Sequence, residues 1–202
     1  MNNREDIHRY WESRSTNDDK NNPREYLNKT ARSQFLFELL DSHAEYEDSI
    51  LEVGCNVGRN LNYIHSENYT NVHGIEINPE AISILECEYS EMAADATIHN
   101  SSVEKIITKF DSDEFDVVFT MAVLEHIHPK SEWIFDEMAR ICGDVLITVE
   151  DEGSNTTRHE PRNYGDIFSS LGYREVKTIH QKDFPEGVVE TESFVARVFE
   201  QS

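Results

Sequence analysis

The 202-residue chain carries 40 acidic against 18 basic residues, a formal charge of −22 at pH 7. Its length fits one domain with a sizeable core, and its charge would repel nucleic-acid phosphates and anionic lipid headgroups, so neither is an expected partner. The acids run from Glu5 to Glu200 rather than forming a tail, a pattern expected of a halophile, in whose salt-rich cytoplasm screening removes the self-repulsion. The lead, residues 1–22, is polar and contains the aromatic pair Tyr10-Trp11; Arg24 to His43 then has helical apolar spacing, with Pro23 suited to its first turn. Strand-like runs follow at Ser49–Val53, Val72–Ile77, Thr97–Asn100, Phe115–Met121 and Asp144–Glu150, separated by helical stretches at Gly58–Ser66, Pro79–Met92, Val103–Lys109 and Ser131–Ile141. This alternation predicts an α/β fold, a parallel sheet covered on both faces. A helix at Tyr164–Leu171 and a hairpin of Tyr173–Ile179 with Phe194–Phe199, turning near Asp183–Gly187, close the pattern.

The first strand ends in Glu52-Val53-Gly54-Cys55-Asn56-Val57-Gly58-Arg59-Asn60, a turn that brings backbone N–H groups close to a polar ligand. The second strand delivers Glu76, placed to hold a ribose diol if the ligand is a nucleoside. A dinucleotide fingerprint would need glycines where Asn56 and Arg59 stand, and a P-loop would need Gly-Lys-Ser/Thr where Gly58-Arg59-Asn60 stands. The turn therefore suits a nucleoside without a pyrophosphate.

Leu51-Glu52-Val53-Gly54-Cys55-Asn56-Val57-Gly58 resembles motif I of the class I S-adenosylmethionine (SAM) dependent methyltransferases, with Asn56 at the middle glycine position. The likeness spans roughly Ser49 to Phe199 and implies a doubly wound seven-stranded, mainly parallel sheet whose last strand is inserted antiparallel. It implies SAM as cofactor, with Glu52, Gly54, Cys55 and Asn56 facing the methionine half and Arg59 and Asn60 supplying donors to its carboxylate. Glu76 would accept from both ribose hydroxyls and Ile77 would cover the adenine. At the third strand end, Ser102 stands where the family often has an Asp for the adenine amino group, with the Val103 N–H beside it; Ser102 reads equally well as a helix N-cap. Thr120 and Met121 would lie along the sulfonium, and Tyr10 and Trp11 resemble an aromatic pair that folds over the cofactor.

Phe115–Ile127 resembles the Leu-Glu-His segment of the small-molecule branch and lacks the Asn/Asp-Pro-Pro-Tyr motif of DNA amino-methylating enzymes. His126 and His159 are the candidate bases, and Arg158 and Arg162 candidates for an anionic acceptor. Glu125, His126, His128, Glu150 and Asp151 show no metal-ligand spacing, so no metal is expected. The expected division is an N-terminal helical extension or lid over residues 1–44 and the SAM domain over 45–202. A small-molecule acceptor is expected, a saccharide first, with a non-catalytic SAM-binding module or a nicotinamide oxidoreductase as alternatives. Cys55, Cys87 and Cys142 lack CxxC spacing and read as reduced thiols; with no apolar signal core and no membrane-length apolar run, a cytoplasmic location is expected.

Overall fold

The computed structural model describes residues 3–189 and 191–201. Seven strands, β1 (Ile50–Val53), β2 (Val72–Glu76), β3 (Thr97–Asn100), β4 (Phe115–Met121), β5 (Cys142–Asp151), β6 (Tyr173–His180) and β7 (Phe194–Gln201), form one sheet. Their order is β3-β2-β1-β4-β5-β7-β6. The strands β1 to β5 pair in parallel, and β7 runs antiparallel between β5 and β6. This is the doubly wound seven-stranded sheet that the resemblance implied. Because the order reverses between β1 and β4, a crevice opens at their carboxyl ends, beside Gly54 and Met121.

The helices are α1 (Arg4–Glu12), α2 (Thr30–Leu40), α3 (Arg59–Ser66), α4 (Pro79–Glu88), α5 (Ser90–Asp95), α6 (Val103–Ile106), α7 (Trp133–Ile141) and α8 (Tyr164–Ser170). One apolar layer joins α2 and α3 to the sheet through Leu36, Leu40, Leu61, Phe119 and Val198. The other joins α7 and α8 to its opposite face through Leu51, Val118, Met138, Phe168 and Phe199. The central strands are buried on both faces, as their continuous apolar sequences require.

Four expected helices differ in extent, among them Val103–Lys109, which is α-helical only to Ile106 and ends in a 3-10 turn over Ile107–Lys109. Arg24–His43 divides into a 3-10 turn at Pro23–Tyr26, where the Asn22 side chain accepts from Arg24 N, and then α2. Pro79–Met92 breaks at Tyr89, whose φ of −127° and ψ of 48° are not helical. Ser131–Ile141 starts later, at Trp133, after a 3-10 turn over Pro129–Ser131. In each case apolar spacing continued across a local backbone break that it does not encode.

The polar lead forms α1, capped by Asn3, whose side chain accepts from Asp6 N. A strap then carries the chain to α2. Thr16 N donates to Glu80 Oε1 at 2.8 Å, and Asn78 Nδ2 donates to Arg14 O at 2.9 Å. These bonds fasten the lead across the β2–α4 loop, above the crevice.

Candidate active site

The turn after β1 holds three residues in left-handed backbone: Gly54 at φ 76°, Asn56 at φ 50° and Gly58 at φ 72°. A Cβ on Gly54 would lie 2.5 Å from Val123 Cγ2, and one on Gly58 would lie 2.5 Å from Leu85 Cδ1, so both positions need glycine for space as well as for φ. Asn56 stands where the motif's middle glycine was missing. Asn is among the residues that enter this region most readily, and its Oδ1 accepts from Val57 N at 2.8 Å. The substitution thus keeps the turn.

Glu76 closes the turn from β2. Its Oε2 accepts from Asn56 N at 2.9 Å and its Oε1 from Asn78 N at 2.7 Å. Burial pushes its carboxyl above the usual range while these backbone donors oppose the shift. Each oxygen keeps acceptor capacity for one further donor. The Asn78 side chain caps α4 by accepting from Glu80 N and Ala81 N. Asn78-Pro79 is a legible helix start, but its tie to the strap is not.

Behind the turn lies a buried polar network. Asn60 Nδ2 donates to Glu52 Oε1 at 2.7 Å, while Asn60 Oδ1 accepts from Arg59 Nη2 at 2.8 Å and from Ser33 Oγ at 2.9 Å. Arg59 also reaches Tyr26 O. Burial foremost, with the nearby Glu76, pushes Glu52 up to about 8 against Asn60 and Arg59. Burial likewise lowers Arg59 to about 10, opposed by Glu52. Arg59 and Asn60, expected to serve a ligand carboxylate, are thus largely engaged with protein groups, though both still face the cavity.

These groups line a cavity of about 390 Å³ that runs from Glu76 to His126 and His159. Gly54, Cys55, Asn56, Ile77, Ser102, Val103 and Met121 line it as well. Two of the expected residues lie elsewhere. Thr120 is fully buried and absent from the lining; strand alternation turns it to the face opposite Met121. Tyr10 also lies outside, its ring 4.2 Å from the Arg14 guanidinium and 4.3 Å from that of Arg158. Adjacent helix positions point about 100° apart, so only Trp11 of the aromatic pair faces inward. Ser102 occupies the N-cap position of α6, but its side chain makes no capping bond.

At the far end, Glu125 and His126 sit on a 3-10 turn over Leu124–His126. Trp11 packs on the His126 ring at 4.8 Å, and His126 on the His159 ring at 4.8 Å. His126 Nδ1 lies 2.9 Å from Arg158 O, and Glu160 N donates to Glu125 O at 2.9 Å, so the loop after β5 is laced to this turn. Burial lowers His126 to about 4 and also depresses His159, which keeps both imidazoles neutral near pH 7. Beneath them Glu150 accepts from Val123 N and Leu124 N. Burial, and then their mutual repulsion, raises Glu125; burial raises Glu150 too. Arg162, expected to meet an acceptor, instead donates to Leu124 O, Ile127 O and Glu132 and does not line the cavity. Only Arg158 of that pair does. Spacing gave no sign that Glu125, His126 and His159 meet, yet their ligand atoms all lie within 4.8 Å of one another.

Residues 50–144 match a family model described as a methyltransferase domain. Phosphoethanolamine N-methyltransferase 2 of Caenorhabditis elegans is 28% identical over 109 residues, 52% of this chain and 24% of that protein. The chain therefore spans about a quarter of that curated relative's length. Geranyl diphosphate C-methyltransferase from Streptomyces coelicolor A3(2), solved with S-adenosyl-L-homocysteine, superposes with a TM-score of 0.74 at 12% identity, covering 98% of each chain. Magnesium protoporphyrin IX methyltransferase from Synechocystis PCC 6803, solved with SAM, gives 0.67 at 15% identity over 98% of this chain and 96% of that one. At such identities these likenesses speak for the fold. Residues 50–144 thus match a methyltransferase domain, and the fold is one shared with structures solved with SAM or S-adenosyl-L-homocysteine.

The cavity has chemistry that fits SAM. Glu52 Oε2, Ser102 Oγ and Trp11 Nε1 are buried in its lining and find no hydrogen-bond partner among the described residues. Together they offer an acceptor for an ammonium, a hydroxyl for a base edge and a ring donor from α1, while Glu76 retains capacity for a diol.

Proposed function

We propose that the chain moves the methyl group of SAM to a small-molecule acceptor, a saccharide hydroxyl first, which binds at the His126–His159 end of the cavity. When bound, SAM supplies a methyl group already activated on sulfonium, so the protein's task is chiefly positioning. The observation that carries this reading is one continuous cavity with two chemically different ends. One end presents Glu76 and the glycine turn; the other presents two neutral imidazoles and Arg158, polar groups suited to a polyhydroxyl acceptor. His126 or His159 would take the acceptor proton where one must leave. His126 Nδ1 faces a carbonyl and so donates, leaving Nε2 as the basic atom.

Residues 1–44 act in this reading as a lid and the remainder as the SAM domain. Ile7, His8 and Trp11 of α1 roof the cavity, which excludes water from the sulfonium. Trp11→Ala should speed release of bound SAM about 10-fold, from the loss of a large aromatic contact, as followed by stopped-flow fluorescence; unchanged release would show that α1 merely packs there. The acid-rich surface is read as an adaptation to a salt-rich cytoplasm, with nucleic acid outside the acceptor range. Incubation with methyl-labelled SAM and fractionated cell extract in molar KCl should label a small polar product. Label appearing only in nucleic acid, or SAM binding without turnover on any fraction, would refute the acceptor assignment.

A further inference from the structure

We propose that Glu125, His126 and His159 bind a divalent first-row cation at the acceptor end of the cavity. Three side chains of the right types converge there. His126 Nε2 lies 3.8 Å and His159 Nε2 lies 3.9 Å from the same carboxylate oxygen, Glu125 Oε1. All three ligand atoms fall within 4.8 Å of one another. Tetrahedral ligands at ~2.1 Å from a cation stand ~3.4 Å apart, so each group need shift by less than about 1 Å.

The surroundings orient the ligands as metal sites do. His126 Nδ1 donates to Arg158 O at 2.9 Å, which fixes the tautomer and leaves Nε2 with its lone pair. His159 Nδ1 lies 2.6 Å from Thr156 Oγ1, a partner able to accept its proton. Glu125 Oε2 accepts from Asp151 N at 2.7 Å, which turns Oε1 toward the two rings. Ring packing of Trp11 on His126 and of His126 on His159 limits rotation of the imidazoles. Glu150 and Asp151 are buried alongside, adding carboxyl groups that a dication would offset.

Two imidazoles and one carboxylate favour transition-metal dications over magnesium or calcium. With the cation bound the two Nε2 atoms are ligands and not bases; its remaining coordination positions would take an oxygen of the acceptor, orient it and ease loss of its proton to solvent. That role rests on the acceptor placement proposed above; the binding of the cation does not.

Chelator-treated protein is titrated with CoCl2 in molar KCl, which screens the acidic surface, and read by calorimetry and by the visible ligand-field absorption of Co2+. One equivalent should bind with a ligand-field band. His159→Ala, at a part-exposed position where folding is not at stake, and Glu125→Gln, which retains an oxygen for Asp151 N, should each weaken binding at least about 100-fold. The same proteins are titrated separately with SAM, whose affinity should stay within about 3-fold. Absence of one-equivalent binding, or equal Co2+ affinity in wild type and both variants, would overturn the site, whereas loss of SAM binding in the wild type would count against the functional reading instead.

Discussion

Glu76→Ala is expected to cut SAM affinity by at least about 100-fold in calorimetry. A charge-assisted hydrogen bond contributes roughly 1.5–3 kcal/mol, and the carboxylate has capacity for both ribose hydroxyls, so the lower bound follows from two such bonds. The variant also strands Asn56 N and Asn78 N, which now donate to Glu76. Loosening of the left-handed turn adds to the loss in the same direction. Circular dichroism must show the fold retained for the reading to stand. Unchanged affinity in a folded variant would refute the ribose assignment.

The second large effect concerns pH. Glu52 is buried and its carboxyl is pushed up to about 8. A folded value above the unfolded one means that its contribution to stability is complete below the ordinary carboxylate range, near 4.5, and is lost as pH rises through about 8. A tenfold change in proton affinity is worth ~1.4 kcal/mol, so the decline for the cofactor-free protein is on the order of a few kcal/mol. Glu52→Gln keeps the oxygen that accepts from Asn60 and carries no charge to bury. Its thermal midpoint should therefore fall less between pH 6 and 9 than that of the wild type, by roughly 5–10 °C. Parallel decline in the two proteins would show that Glu52 ionises without cost.

Much of this was legible in the sequence, for identifiable reasons. Parallel strands buried on both faces read as continuous apolar runs, so β1, β2 and β4 were visible; a turn-rich segment gave the β6–β7 hairpin, and the antiparallel insertion of β7 came only from the resemblance. Glu52, Gly54 and Glu76 stood at strand ends, where topology alone sends them to the crevice. Direction of a side chain was harder. Thr120 and Tyr10 have the right neighbours in sequence but point away, one by strand alternation and one by the turn of a helix. Arg162 looked like a ligand arginine because a buried guanidinium holding backbone carbonyls has no linear signature. The meeting of Glu125, His126 and His159 was hidden for a related reason: it joins two loops that only the sheet brings together.

Asn78 carries three bonds that belong to different parts of the protein. Its backbone N–H holds Glu76, its Oδ1 caps α4, and its Nδ2 holds Arg14 O in the strap. The residue that steadies Glu76 is thus also a fastening of the strap that follows α1. Under the proposed lid, occupancy below and closure above would each strengthen the other by the same factor, because one residue ties to both.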